Sequence, residues 1–178
     1  MSPLLQLPDF LSQAEARQQI QFSEQLGYQA ALIRTVSGQQ HLPAIRQNQR
    51  LELANPDLSQ QLFHRLQQRT RTMAHAQALS DAVAIYPLWR YYRYLPGDHF
   101  KWHRDGVVRD SQGRCSRFTL LIYLNSDYQG GATQFREASI LPHTGMALLF
   151  PHQLLHQGER LRVGCKYVLR SDILFTAE

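Results

Sequence analysis

The first apolar pattern along the chain has the period of an α-helix. Ser12 and Glu15 form the Ser-x-x-Glu pattern of a capping box. Apolar residues continue the helical stripe at Phe22 and Leu26. Gly27 then ends the stripe, as glycine commonly does behind a helix. The pattern predicts a first helix between Ser12 and Gly27.

A second helical pattern begins at Asn55 and Pro56. Asparagine is a favourable N-cap, and proline is tolerated in the first turn because its missing N–H has no helical partner there. Leu58, Leu62 and Leu66 then follow four residues apart on one face. The spacing predicts a second amphipathic helix.

From about Ala82 the pattern changes to short apolar or alternating segments, which are separated by Gly, Pro, Asn and Asp. Many short strands at this spacing are typical of a sandwich or jelly roll. The polar stretch Ser37–Arg50 is expected to be a loop or an irregular strand pair. The predicted strands are Ala82–Tyr86, Arg90–Tyr94, Phe100–Arg104, Arg117–Leu124, Thr133–Phe135, Met146–Phe150 and Tyr167–Phe175.

These patterns predict one domain of the α+β or mainly β class over residues 1–178. We expect residues 1–81 to form a helical flank and residues 82–178 to form a double-sheet barrel of the jelly-roll, cupin-like type. Repeats, low-complexity tracts and linkers are not evident in the sequence.

Composition supports a globular protein. The chain has 178 residues, of which 43% are hydrophobic and 10% aromatic, so it can close a proper core. A basic start followed by an apolar run is not evident, and runs such as Leu120–Leu124 are too short to span a bilayer. Cys115 and Cys165 lack the spacing of a zinc ribbon or a disulfide framework. We expect a cytoplasmic protein with reduced thiols and no membrane partner.

The charge balance is mildly basic. Lys and Arg number 19 against 14 acidic residues, which gives a formal net charge of +5. That excess favours an anionic partner or cosubstrate, but it is too small and too scattered to indicate nucleic-acid binding. The basic run Arg65–Arg71 is interpreted as the solvated face of a helix.

The main candidate for chemistry is a His-x-Asp pair. His103 and Asp105 are two residues apart, so on a strand they would face the same side. Such a pair is two thirds of the facial triad that holds non-haem Fe(II), and a distant histidine must complete it. His143, His152 and His156 are the candidates after it. The glutamate of a zinc-protease HExxH motif is absent between His152 and His156.

Several further motifs follow one another in a fixed order between Tyr92 and Phe175. They are Tyr94-Leu-Pro-Gly97, Phe100-Lys-Trp-His103-Arg-Asp105, Arg117-Phe-Thr-Leu-Leu-Ile-Tyr-Leu-Asn125, Gly130-Gly-Ala-Thr-Gln-Phe135, Gly145-Met-Ala-Leu-Leu-Phe150, His156-Gln-Gly158 and Gly164-Cys-Lys166-Tyr-Val-Leu-Arg170. In order and spacing this region resembles the prolyl 4-hydroxylase-like branch of the 2-oxoglutarate/Fe(II) oxygenases.

The resemblance implies a double-stranded β-helix whose iron is held by His103, Asp105 and His156, with no further catalytic residue beyond these ligands. It implies that Lys166, ten residues after the last of them, pairs with the far carboxylate of 2-oxoglutarate. Arg170 has the same strand parity and is the rival for that role.

Two weaker assignments carry over to the cosubstrate. Tyr94 and Thr133 would donate hydrogen bonds to 2-oxoglutarate, although a core tyrosine and a strand-forming threonine explain them almost as well. The implied cofactors are Fe(II), 2-oxoglutarate and O₂, and the resemblance also allows ascorbate.

The resemblance implies hydroxylation of a C–H bond, with a prolyl residue of a protein or peptide as the favoured substrate. We expect the loops at Ile85–Tyr92 and Gly106–Ser116 to select it. Side chains that could line a substrate groove are those of Trp89, Tyr91, Trp102 and Arg104.

Other functions remain open at this stage. A free amino acid or another small molecule could be hydroxylated instead. A nucleic-acid dealkylase of the same superfamily would need a paired-arginine motif, and Lys166 and Arg170 lie at a different spacing. A zinc hydrolase could use the same ligands, but it would leave Lys166 without a role. The alternative without catalysis is a metal-free jelly-roll binding module.

Overall fold

Two antiparallel sheets form the frame of the computed structural model, which describes residues 4–176. The helices are α1 (Gln13–Leu26) and α2 (Pro56–Thr70), with a 3₁₀ helix at Ala74–Leu79. The strands are β1 (Leu5–Leu7), β2 (Gln29–Ala30), β3 (Ile33–Thr35), β4 (Gly38–Gln40), β5 (Arg46–Gln47), β6 (Gln49–Ala54), β7 (Ala82–Ile85), β8 (Leu88–Tyr94), β9 (His99–His103), β10 (Cys115–Tyr123), β11 (Gln129–Gly130), β12 (Thr133–Phe135), β13 (Ser139–Ile140), β14 (Ala147–Pro151), β15 (His156–Gly158), β16 (Leu161–Val163) and β17 (Lys166–Phe175).

The large sheet has the strand order β1-β14-β10-β17-β8-β6-β2, and β7 pairs with the far end of β17. The smaller sheet has the order β13-β12-β15-β9-β5. Two short two-stranded sheets, β3–β4 and β11–β16, complete the sheets of the described residues. Non-sequential neighbours such as β14 and β10 or β15 and β9 are the crossovers expected of a jelly roll.

Both predicted helices are present, with the caps that the sequence indicates. The Ser12 N–H donates to Glu15 Oε2 at 2.7 Å, and the Glu15 N–H donates to Ser12 Oγ at 3.1 Å, so the capping box is complete. Asn55 Oδ1 accepts from the Leu58 N–H at 3.0 Å at the start of α2. No helix in the described part of the chain combines the length and the apolar character that crossing a bilayer requires.

The seven predicted strands are all present, with ends displaced by a few residues at most. The description of residues 1–81 as a helical flank needs correction, because this stretch also supplies strands to both sheets. β6 pairs with β8, and β5 pairs with β9. β5 is only two polar residues long, and β6, although Leu51 and Leu53 alternate with polar residues, begins within the polar stretch and ends at the cap of α2.

Two apolar cores lie on opposite faces of the large sheet. One core packs the sheet against the helices and includes Trp89, Tyr91 and Leu169. The other packs the two sheets together and includes Tyr92 and Val168. Because β8 and β17 are covered on both faces, each strand carries apolar or aromatic residues on both of its faces.

Two of the aromatic side chains predicted to line a substrate groove lie in the core instead. Trp89 and Tyr91 are 0% and 1% exposed, and both lie on the helix side of β8. The Trp89 indole donates to Ser59 Oγ at 2.9 Å, and the Tyr91 hydroxyl donates to Gln19 Oε1 at 2.7 Å. Most of the predicted loop is therefore strand β8, and these two residues anchor α2 and α1 to the sheet.

A close approach at Gly145 ties the amino-terminal segment to the large sheet. The Leu11 N–H donates to the Gly145 carbonyl at 2.9 Å, and the Gly145 N–H donates to the Tyr123 carbonyl at 2.7 Å. Gly145 has φ of 82°, and a Cβ at this position would overlap the Leu11 carbonyl oxygen. Only glycine satisfies both constraints without moving the backbone.

We predict that Gly145→Ala lowers the free energy of unfolding by about 2 to 5 kcal/mol, because the left-handed φ and the backbone overlap act together. Gly113 is the matched control, since it has φ of 78° but open space where a Cβ would stand. Gly113→Ala should cost only about 1 to 2 kcal/mol. Urea unfolding of both variants measures the difference, and equal losses would contradict the role of the Leu11 contact.

Candidate active site

Three potential metal ligands converge at one end of the space between the sheets. His103 is the last residue of β9 and is paired directly with His156 of β15. Asp105 follows two residues after β9, where its N–H donates to the His152 carbonyl at 3.1 Å. One ligand atom from each of His103, Asp105 and His156 lies within 4.8 Å of the other two.

The carboxylate of Asp105 lies between the two imidazoles. Its Oδ1 is 3.8 Å from Nε2 of His103, and its Oδ2 is 3.6 Å from Nε2 of His156. In both rings the other nitrogen faces a backbone carbonyl. His103 Nδ1 is 2.7 Å from the Lys101 oxygen, and His156 Nδ1 is 2.9 Å from the Leu154 oxygen. This contact favours a proton on Nδ1, which leaves the Nε2 lone pair facing the cluster.

The surroundings favour the protonation states that a metal requires. Burial lowers the pKa of His103 to about 3 and also lowers the pKa of His156. Burial opposes ionisation of Asp105, but Arg170, the two imidazoles and the Thr119 hydroxyl together outweigh it and hold the carboxyl pKa well below its usual range. Two neutral imidazoles and one carboxylate therefore face one another at neutral pH, which fits the donor set for Fe(II).

Aromatic rings fix the two imidazoles in place. The Phe100 ring stacks on His103 with 3.5 Å between ring centroids. Phe150 and Phe135 pack around His156, with centroid distances of 4.6 and 5.8 Å. Rings held by packing and by a backbone hydrogen bond reach a metal with little further loss of entropy.

Lys166 lies in the same cavity as the three ligands. The cavity wall also includes Tyr94 and Thr133. Lys166 is 3% exposed, and its Nζ donates to the Gly131 carbonyl at 2.5 Å. The Nζ atom is 5.4 Å from the centroids of the Tyr94 and Tyr123 rings. The cavity therefore holds an ammonium group with hydroxyl-bearing side chains beside it.

Arg170 lines the same cavity but meets different neighbours. Its NH2 atom is 3.0 Å from Asp105 Oδ1 and 3.2 Å from Asp172 Oδ1. Lys166 and Arg170 share one face of β17, as their parity predicts, and Lys166 is paired across the strands with Tyr94. The guanidinium contacts a ligand of the cluster, whereas the ammonium group lies among the tyrosine rings.

The other histidines considered from the sequence lie outside the cluster. His143 is exposed. His152 is buried, and its ring nitrogens lie 2.7 Å from Ser116 Oγ and 2.9 Å from Thr119 Oγ1. Of the remaining groove candidates, Trp102 is 44% exposed and Arg104 is exposed, with its Nε donating to the Gln153 carbonyl at 3.0 Å.

Sequence reasoning missed several side chains of the site. Thr119 donates to Asp105 Oδ2 at 2.6 Å, and Tyr92 and Phe100 line the cavity. A signal existed for Thr119, since it is a polar residue between the apolar Phe118 and Leu120 in the buried part of β10. Such a residue needs a hydrogen-bond partner inside the protein, and here that partner is the carboxylate.

Comparison with known proteins gives a family match that spans the three potential metal ligands and Lys166. Residues 89–171 match the model of the 2OG-Fe(II) oxygenase superfamily. A candidate prolyl 4-hydroxylase of Acanthamoeba polyphaga mimivirus is 38% identical over 69 residues, which is 33% of this chain. That match spans only 28% of the length of the mimivirus protein.

Solved structures share the fold over nearly the whole chain. The viral collagen prolyl hydroxylase of Paramecium bursaria Chlorella virus-1, solved with 2-oxoglutarate, has a TM-score of 0.69 at 20% identity and covers 97% of this chain and 96% of its own. A Pseudomonas putida prolyl 4-hydroxylase has a TM-score of 0.67 at 16% identity, with coverage of 99% and 95%. The predicted double-stranded β-helix class is thereby confirmed.

The buried ammonium group predicts a specific pH dependence. Burial lowers the pKa of Lys166 to about 8 in the folded protein, against an ordinary value of 10.5. Between these two values the unfolded chain binds more protons than the folded one, so stability rises with pH. Relative to Lys166→Met, the wild type should gain about 2 kcal/mol of unfolding free energy between pH 7.5 and 10.

Urea unfolding of both proteins at several pH values measures this gain. Lys101 is the matched control, because it is the other lysine of the chain and is exposed on β9. The pH profile of Lys101→Met should parallel that of the wild type. A constant difference between wild type and Lys166→Met across this range would mean that the ammonium group is not penalised by burial.

Proposed function

We propose that this chain, which belongs to the 2OG-Fe(II) oxygenase superfamily through its residues 89–171, is an Fe(II)- and 2-oxoglutarate-dependent dioxygenase. The observation that carries the proposal is the convergence of His103, Asp105 and His156 in a cavity that also contains the buried Lys166. Superfamily membership supplies the reaction type, and these residues supply the groups that it needs.

His103, Asp105 and His156 would hold the iron as two imidazoles and a carboxylate on one face, which leaves other coordination positions open. Bound Fe(II) supplies the activation of O₂, which oxidises 2-oxoglutarate to succinate and CO₂ and converts one substrate C–H bond into C–OH. The protein contributes the placement of the reactants and a cavity lined by aromatic side chains such as Phe100 and Tyr92.

Lys166 is the proposed partner of the far carboxylate of 2-oxoglutarate. A buried ammonium group is costly unless an anion is paired with it, and Lys166 forms no ion pair with any described residue. A carboxylate in the cavity would offset that cost through a charge-assisted hydrogen bond. Tyr94 and Thr133 line the same space, and their hydroxyls are the proposed further donors.

The proposed substrate is a prolyl residue of a protein or peptide. Support comes from the prolyl hydroxylase names of the mimivirus relative and of the viral and bacterial structures. Exposed apolar side chains near the metal-ligand segment, those of Trp102 and Val107, suit an extended peptide better than a charged polymer. Hydroxylation of a free amino acid or another small molecule is the second candidate.

We predict that His103→Ala and Asp105→Ala each lower the conversion of 2-oxoglutarate to succinate by more than about 100-fold. Loss of a residue that only hydrogen-bonds to a metal ligand typically lowers metal affinity or activity by about 10- to 100-fold, and loss of the ligand itself should lower it further. Succinate release with Fe(II) and O₂, measured by mass spectrometry, gives the rate. His143→Ala is the matched control, since this histidine is exposed and outside the cluster, and it should retain full activity. Full turnover by either ligand variant would reject the proposed metal site.

The proposed substrate class has its own test. Proline-containing peptides incubated with the enzyme, Fe(II), 2-oxoglutarate and O₂ should gain one oxygen on the prolyl ring, in step with succinate formed. Mass spectrometry with fragmentation locates the added oxygen, and omission of 2-oxoglutarate is the control. Succinate formation that a panel of free amino acids stimulates, and that peptides do not, would instead favour the small-molecule candidate.

A further inference from the structure

Two arginines stand directly opposite each other inside the barrel. Arg90 of β8 and Arg170 of β17 are cross-strand partners, and each side chain is 13% exposed. Like charges in directly opposed positions of a sheet destabilise it, and burial increases the cost. An anion placed between the two guanidinium groups offsets this cost.

Asp172 is that anion. Its side chain is 1% exposed, with Oδ2 2.8 Å from Arg90 NH1 and Oδ1 3.2 Å from Arg170 NH2. Arg170 and Asp172 are two residues apart on one strand, so their side chains leave the same face of β17. The carboxylate therefore fixes the direction in which the Arg170 guanidinium points.

The guanidinium held in this way contacts a proposed metal ligand. Arg170 NH2 is 3.0 Å from Asp105 Oδ1, while Thr119 Oγ1 donates to Asp105 Oδ2 at 2.6 Å. The Arg170 NH1 atom lies 3.5 Å from the Tyr92 hydroxyl, at the limit of a hydrogen bond. One oxygen of the Asp105 carboxylate thus accepts a hydrogen bond and the other forms an ion pair, whose cation belongs to a series of buried charges in the large sheet.

We propose that Arg170 is a positioning residue, which holds the Asp105 carboxylate in its metal-binding orientation and is itself oriented by Asp172. Asp105 lies in a loop just beyond β9, so the strand alone does not fix its side chain. Without a partner, a buried carboxylate gains by turning toward water, whereas a metal site needs its ligands within a fraction of an ångström. The inference rests on the proposed function, because it assumes that the cluster binds a metal.

This role differs from that of Lys166. Removal of Arg170 should weaken metal binding and leave the KM for 2-oxoglutarate, at saturating metal, almost unchanged. Removal of Lys166 should raise that KM and leave metal affinity almost unchanged. The two basic residues of β17 would therefore serve different partners at different points of one cavity.

The test is titration of the metal-free protein with Mn(II), in which electron paramagnetic resonance measures the free ion. Arg170→Met should raise the Kd for Mn(II) by about 10- to 100-fold, the usual effect of losing an outer partner of a metal ligand. Asp172→Asn should raise the Kd less, and Arg170→Lys should restore part of the affinity. Arg93→Met is the matched control, because Arg93 is a partly buried arginine of the same sheet whose partner, Glu24, lies on α1. The Kd of the Arg93→Met protein for Mn(II) should equal that of the wild type.

The outcomes separate the inference from the function. A folded Arg170→Met protein with wild-type Mn(II) affinity would overturn the positioning role, as would a raised KM for 2-oxoglutarate with unchanged Kd. If Arg170→Met does not fold, the Kd values of Asp172→Asn and Arg170→Lys for Mn(II) are compared with that of the wild type. Wild-type affinity in both variants would then overturn the positioning role. Failure of the wild-type protein to bind Mn(II) would instead contradict the proposed function itself.

Discussion

The pairing of β15 with β9 is the constraint on which the site depends, because it sets His156 directly opposite His103. Their rings come to 4.2 Å between centroids, with each Nδ1 tied to a carbonyl of its own segment. A shift of one residue in this register would turn one imidazole to the other face of the sheet. The surrounding jelly roll acts to hold that register.

Four charged groups inside the barrel form a series of ion pairs that leads to the metal-ligand loop. Arg90, Asp172, Arg170 and Asp105 alternate in sign from the large sheet to the metal-ligand loop. Lys166 lies outside this series: its Nζ donates to the Gly131 carbonyl and lies beside aromatic rings, and the charge of Glu159 favours the ammonium form. A buried ammonium group that lies outside this series of ion pairs suits a site for an anionic cosubstrate.

The sequence predicted the strands of the core because turn residues separate their apolar runs, and it predicted the helices because their caps are strong. It failed where tertiary structure overrides local pattern: β5 is a short polar strand that its neighbour completes, and Trp89 is predicted to lie in a loop but packs in the core on the helix side of β8. The link from Arg170 to Asp105 joins distant segments, so spacing alone could not reveal it.

The most direct test of the central claim is a crystal structure of the protein with Mn(II) and 2-oxoglutarate, in which anomalous scattering locates the metal. We expect one metal ion bound by His103, Asp105 and His156 together, with the far carboxylate of 2-oxoglutarate at Lys166. A metal held by other residues, or a cosubstrate whose far carboxylate lies away from Lys166, would contradict the account.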